Sequence, residues 1–265
     1  MTKLTLLKLG GSVITRKELT PPVINEKIVA RIANEIKSYS SHSLLIVLGG
    51  GAHGHQAAHK YGFGSSNTAP TKLISGIPLI RHNMTVLSLG IESILESNGV
   101  KSVVIPPFAS AILENGKIQR FNLDVFHRTL AAEHIIITHG DVCYDSIRGA
   151  SILSGDTILA FLTKQLDIDR VLVGTNVDGL LDSDPEDNPN AKVIPIINDK
   201  NKEEVLEIAG PASTTDVTGG MRRKISDLLT ISESGVEVII FNLTVAGRLS
   251  SLLQGSQALC TRIRV

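Results

Sequence analysis

The stretch Leu44-Leu45-Ile46-Val47-Leu48-Gly49-Gly50-Gly51-Ala52-His53-Gly54-His55 sets an apolar run, a triple glycine and two histidines in direct succession. A short unbroken apolar run suits a strand buried on both faces of a parallel sheet. The glycines carry no Cβ, so their N–H groups can approach an anion closely. A helix opening just beyond adds unpaired N–H donors and the positive end of a dipole. A near-copy begins the chain: Leu4-Thr5-Leu6-Leu7-Lys8-Leu9-Gly10-Gly11-Ser12. One Gly-Gly alone reads more simply as a tight turn. Two such turns, one with a lysine and one with a histidine, predict two phosphate groups held face to face.

The 265 residues suffice for one large α/β domain or two closely joined lobes. Hydrophobic residues make up 42% and aromatic residues 3%, with no Trp, so aliphatic side chains must fill the core. The 26 basic and 26 acidic residues cancel, and composition therefore gives no support for nucleic acid or an anionic membrane as partner. Cys143 and Cys260 lack metal-ligand spacing and read as small buried hydrophobes in a reducing cytosol. Lys3 and Lys8 bracket too short an apolar run for a signal peptide, and no apolar segment reaches the roughly 20 residues of a membrane span. These features predict a soluble, cytoplasmic protein.

Residues 4–9 read as the first strand, followed by a loop from Gly10 to Lys17 before Pro21-Pro22 blocks any continuous helix. Asn25 is the expected N-cap of a helix to about Tyr39, with Ile28, Val29, Ile32, Ala33 and Ile36 on one face. The central strand and triple glycine lead into a helix over about His53 to Lys60, then a loop from Gly62 to Lys72. Met84, Leu87, Ile91, Ile94 and Leu95 recur at helical spacing and predict a long helix from about Ile80 to Ser97, ended by Asn98-Gly99. Most of that stripe reads as core; a few of its side chains, with Ile74, Ile77 and Leu79, are candidates to line an apolar pocket. Val103 to Ile105 reads as a strand, and Leu113 to Arg120 as a hairpin centred on Asn115-Gly116.

A helix over Val125 to Ala132 and a buried strand at residues 135–138 lead to His139-Gly140-Asp141. A second hairpin over residues 141–153 ends at Leu153-Ser154-Gly155-Asp156, where a helix to about Leu166 begins. Beyond it lie a strand at Val171-Leu172-Val173, a helix over Lys202 to Ile208 and a helix opening at Asp216-Val217-Thr218-Gly219-Gly220-Met221. A strand at residues 238–241, a helix over Val245 to Leu253 and a strand from Ala258 to Val265 complete the chain. Strands alternating with helices predict a three-layer α/β/α sandwich around a mostly parallel sheet. A soft boundary near residue 167 divides the single domain 1–265 into lobes 1–166 and 167–265.

Four expected loops at the C-terminal ends of strands pair glycine with a charged or polar residue, and open α/β sheets bind ligands at that edge. They are read as neither the dinucleotide fingerprint nor Walker A. Lys8, Lys17 and Lys224 stand in or beside them. Phosphoryl transfer calls for such cations, because its transition state spreads charge over three oxygens. His53, His55 and His59 have spacings that a zinc site could use, but no carboxylate or Cys joins them nearby, and no metal site is expected.

Taken together, Lys8-Leu9-Gly10-Gly11-Ser12, Gly49-Gly50-Gly51, Ser154-Gly155-Asp156, Thr175-Asn176-Val177-Asp178-Gly179 and Asp216-Val217-Thr218-Gly219-Gly220-Met221 resemble, in order, the motifs of the amino acid kinase superfamily. The resemblance spans essentially the whole chain and implies the amino acid kinase fold. Within it, Gly10-Gly11-Ser12-Val13-Ile14-Thr15-Arg16-Lys17 and Gly49-Gly50-Gly51-Ala52-His53-Gly54-His55 resemble the isopentenyl phosphate kinase family. The chain departs from that family's usual pattern in three places: Ser-Phe is usual at Ala52-His53, Asp at Asn176, and His before the triple glycine.

The resemblance implies ATP and Mg²⁺, with isopentenyl phosphate as acceptor and residues 167–265 as the nucleotide lobe. It implies that Lys8 contacts the β- and γ-phosphates while Gly10, Gly11 and Ser12 donate to the transferring oxygens. Lys17 stabilises the phosphoryl group in flight, and Lys224 reaches the nucleotide phosphates from the other lobe. Asp156 orients both Lys8 and Lys224, a role compatible with capping the helix that follows it. Gly50, Gly54, His55 and Gly155 hold the acceptor phosphate, whereas Gly51 faces the nucleotide. Thr175, Asn176, Asp178, Gly219 and Gly220 line the nucleotide side; Asp216 is equally a helix cap. A homodimer is the expected assembly. Two rival readings stay open: a superfamily member acting on an amino acid carboxylate, carbamate or another phosphomonoester, and a non-catalytic nucleotide sensor.

Overall fold

The computed structural model describes residues 4–16, 19, 23–39, 43–65, 67–183, 188, 190–208 and 220–265. Its centre is an eight-stranded sheet in the order Ile196–Ile197, Cys260–Ile263, Glu237–Asn242, Ile168–Thr175, Leu4–Leu9, Leu44–Leu48, Ile135–His139, Ser102–Val104. The six strands from Glu237–Asn242 onward run parallel, and the two at the other edge run against them. A strand's period of two sends alternate side chains to opposite faces. Leu7, Leu9, Ile46 and Leu48 therefore join one buried cluster, whereas Leu4, Leu6, Leu45 and Val47 join the other. Helices Glu26–Lys37 and Pro70–Ser97 cover the first face; Gly155–Gln165 and Gly220–Ser232 cover the second. Both faces are buried, so the apolar runs read from the sequence had to be unbroken. Each fully buried Leu or Ile contributes roughly 1.5–3 kcal/mol.

The two hairpins form where the sequence predicts them, as Ala111–Glu114 with Lys117–Phe121 and Asp141–Asp145 with Gly149–Leu153. Asn115 (φ 48°) and Gly116 (φ 78°) both take left-handed conformations, as a two-residue hairpin turn requires.

Three expectations need correction. The stretch after Gly10 is not a loop: Gly11–Ile14 makes one helical turn and Thr15–Arg16 pairs with Val23–Ile24. The long helix starts at Pro70 rather than near Ile80. Proline is well tolerated in a first turn, and Pro78 inside the helix removes a single N–H that the helix's packing outweighs. The helix expected from Val245 begins only at Arg248, because Gly247 at φ +79° interrupts it. Asn25 holds the N-cap position without a side-chain capping bond.

Candidate active site

Parallel pairing sets the C-terminal ends of Ile168–Thr175, Leu4–Leu9, Leu44–Leu48 and Ile135–His139 side by side at one edge of the sheet. The ladder continues one step past each strand through glycines. Gly10 N–H donates to the Gly174 carbonyl (2.9 Å), Gly49 to Leu9 (2.9 Å) and Gly140 to Leu48 (3.0 Å). The first two glycine bends touch: a Cβ on Gly49 would lie 2.7 Å from the Gly11 nitrogen. Gly51 has φ +51° and lies under the Thr15 side chain, so a larger residue there meets both strain and collision.

Above this edge opens a cleft of about 670 Å³. Lys8 stands at its centre and forms an ion pair with Asp156, although the two are 148 positions apart. Asp156 is not the helix cap: Ser154 takes that role, its Oγ accepting from Thr157 N–H at 3.1 Å. That leaves the Asp156 carboxylate to Lys8. Gly50, Gly54, His55 and Gly155 line the cleft, and His55 is exposed. Gly10, Gly11, Ser12, Gly51, Thr175, Asn176 and Lys224 line it too, with the Ser12 hydroxyl 3.4 Å from Asn176 Oδ1.

Most of the predicted constellation is thus assembled around one cavity. Asp178 does not line it; its carboxylate accepts from Arg248 (2.6 Å) and Asn242 (3.0 Å). The hydrogen bond from Arg248 holds Asp178 below the usual carboxylate range. Gly220 opens the helix that carries Lys224. Lys17, Asp216 and Gly219 lie outside the described residues.

Sequence reasoning missed several contributors. Gly49, Gly140 and Asp141 line the cleft, and so do Ile80 of the long helix and Ile152 of the hairpin, beside Met84, which was among the candidates. The periodic stripe on that helix was a signal for Met84. Of the other apolar candidates, Ile74 is exposed and Ile77 is packed in the core. Asp227 is a second carboxylate within electrostatic reach of Lys8 and Asp156, and burial pushes its pKa up. No motif pointed to it, because only the packing of helix Gly220–Ser232 brings it there.

One pattern set aside from sequence needs correction as well. Gly49, Gly51 and Gly54 do fall at the spacing of the dinucleotide fingerprint. Its third glycine normally permits close packing of helix on strand, whereas Gly54 faces the Met84 sulfur. The acidic residue that would bind a ribose is also missing, for no Asp or Glu occurs between Gly54 and Glu92. Of the three neighbouring histidines, His53 is buried, and His55 and His59 are exposed. Among the described residues no group of three or more His, Cys, Asp or Glu could hold a metal ion. Nor, among them, is any helix long and apolar enough to cross a membrane.

This chain belongs to the amino acid kinase family, whose model matches residues 3–242. Within that family, isopentenyl phosphate kinases are among the proteins it resembles over its full length. It is 35% identical over 263 residues to the isopentenyl phosphate kinase of Methanothermobacter thermautotrophicus, covering 97% of this chain and 98% of the relative. To that of Methanocaldococcus jannaschii it is 31% identical, covering 95% of each. A crystal structure of an isopentenyl phosphate kinase superposes with a TM-score of 0.84 at 31% identity, covering 98% of this chain and all of the other.

Proposed function

We propose that this protein transfers the γ-phosphoryl group of ATP to isopentenyl phosphate, giving isopentenyl diphosphate and ADP. The observation that carries the reading is the pair of opposed glycine bends with Lys8 and Asp156 between them and His55 at one end. Full-length likeness to isopentenyl phosphate kinases supports the choice of acceptor.

A phosphomonoester has a second pKa near ~6, so its attacking oxygen is ionised at neutral pH and needs no general base. That oxygen bonds to the γ-phosphorus as the bond to the β–γ bridging oxygen breaks, and the electron pair leaves with ADP. What the protein must supply is placement and positive charge. Lys8, held by Asp156, lies where it can neutralise the transferring group, and Lys224 approaches from the helix opposite. Lys17 is assigned the charge developing in flight. Free N–H groups at the start of helix Gly51–Lys60 and of helix Gly155–Gln165 face the acceptor phosphate. His55 clamps that phosphate, more strongly as imidazolium than as a neutral donor. Ile80, Met84 and Ile152 offer an apolar wall to the alkyl chain. On this reading the nucleotide sits against residues 167–265 and the acceptor against residues 1–166.

Magnesium fits this site as an ion carried by ATP oxygens and water, with Asp156 and Asp227 the neighbouring carboxylates. When bound it draws negative charge from the β- and γ-phosphates. A homodimer in the cytoplasm is the assembly and location that accompany this reading, and light scattering tests the first.

A coupled assay of ATP consumption tests the whole. Isopentenyl phosphate should support turnover, while glutamate, carbamate and simple alkyl phosphates should support little. Turnover with glutamate or carbamate instead would replace the acceptor. Consumption with none of them would favour a nucleotide sensor, a role that needs no paired lysine at the point of transfer.

A further inference from the structure

Beside the acceptor end of the cleft, helix Pro70–Ser97 and the hairpin strand Asp141–Asp145 are joined by an ion pair that the reaction does not use. Arg81 Nη1 donates to Asp141 Oδ2, and the Asp141 side chain is fully buried. Asp141 Oδ1 accepts from Val142 N–H at 2.8 Å. The guanidinium lies 5.1 Å from the Phe108 ring centroid, with Nη2 3.5 Å from Thr85 Oγ1. His139 Nδ1 is 3.6 Å from Asp141 Oδ2. Burial, reinforced by the Arg81 charge, pushes His139 down to about 4, so its ring is neutral and Arg81 alone neutralises Asp141 among the described residues. Burial pushes Asp141 itself up to about 7, against the pull of Arg81. Desolvation on this scale makes the pair a poor source of stability.

Its position gives it another use. Arg81 follows Ile80 and precedes Met84 by less than one turn, and those two side chains form the apolar wall. The same helix reaches the glycine loop as well: Asn83 Nδ2 donates to the His53 carbonyl at 3.1 Å, and the Met84 sulfur faces Gly50 and Gly54. Asp141 follows Gly140, whose missing Cβ lets it lie against the nitrogen of Gly155. The pair therefore links the wall for the alkyl chain to the loop for the acceptor phosphate. Apolar contacts slide at little cost; a planar guanidinium with one nitrogen on the buried Asp141 carboxylate and the other at Thr85 Oγ1 has one geometry.

We propose that Arg81 and Asp141 are positioning residues that fix the spacing between the acceptor's phosphate loop and its apolar wall. The inference rests on the assignment of that end of the cleft to isopentenyl phosphate. The informative variant is the double Arg81→Met, Asp141→Leu, which removes both charges and leaves neither orphaned. Its melting temperature should stay near that of the parent protein. Its KM for isopentenyl phosphate should rise about tenfold or more, while KM for ATP stays within about twofold, because a small misplacement at one end disturbs only that end. Arg81→Lys, which keeps the charge but not the planar guanidinium, should fall between the two. A folded double variant with unchanged acceptor KM would overturn the inference alone. So would an equal loss on both substrates, the mark of a merely structural role. Failure of the parent protein to turn over isopentenyl phosphate would overturn the functional assignment and the inference with it.

Discussion

Lys8 and Asp156 meet at the centre of the cleft with side chains only 13% and 11% exposed. One is the penultimate residue of the first strand; the other sits in the first turn of helix Gly155–Gln165. Because Ser154 already caps that helix, the Asp156 carboxylate is left to hold the Lys8 ammonium group.

Replacing Asp156 by Asn keeps the shape and removes the charge. The variant should fold, and kcat should fall roughly 10²-fold, the scale of losing one preorganised electrostatic group. Steady-state kinetics beside a thermal melt check this. A kcat near that of the parent would remove Asp156 from the mechanism.

His55 lines the cleft on helix Gly51–Lys60 and is exposed; on the proposed function it clamps the acceptor phosphate. His55→Ala should nearly abolish phosphorylation of a monophosphate, and His55→Gln, which keeps one donor, should retain a trace. Comparing kcat/KM for isopentenyl phosphate across the three proteins decides it.

An added methyl group on Gly11 would overlap the backbone nitrogen of Gly51, and no flexible side chain is there to swing aside. Gly11→Ala should therefore force the two bends apart. Overpacking of this kind costs about 1–3 kcal/mol, and the KM for ATP should rise with it. Urea unfolding and initial-rate kinetics measure the two effects.

Asp145 gives a pH prediction at a distance from the cleft. Its carboxylate accepts from the N–H groups of Asn115, Gly116, Ile147 and Arg148 and from Ser151 Oγ, at 2.7–3.0 Å. Burial alone would raise its pKa; these hydrogen bonds, led by Arg148, outweigh it and hold the group down to about 2. A folded-state value below the ordinary 3.8 means the stabilisation is complete above 3.8 and is lost as pH falls toward 2. Asp145→Asn should cost about 1–3 kcal/mol at neutral pH, with the gap to the parent closing over that acid window. Urea unfolding at stepped pH reads it directly.

The alternation of strands and helices, the glycine bends and the lysines were legible because each depends on neighbours in sequence. Apolar runs such as Leu44–Leu48 carry their own burial signal, and Asn115-Gly116 its own turn. Lys8, His55 and Lys224 could be picked out because glycine-flanked cations have few uses other than holding anions. The first turns of the long helix are not legible in sequence, because Pro70 and Pro78 carry no helical signal, and only the structure shows that the helix tolerates both.

By itself, then, the sequence determined a layered α/β chain with anion-holding bends at one edge of its sheet, since local pattern and backbone freedom suffice for that. Tertiary structure alone decided that Asp156 serves Lys8, that Asp178 turns to Arg248, and that Asp227, Asp141 and Arg81 come near the cleft. The physical reason is distance along the chain. Charges 60 to 148 positions apart carry no mark of each other in sequence, and only the packing of helices onto a common sheet brings them within reach.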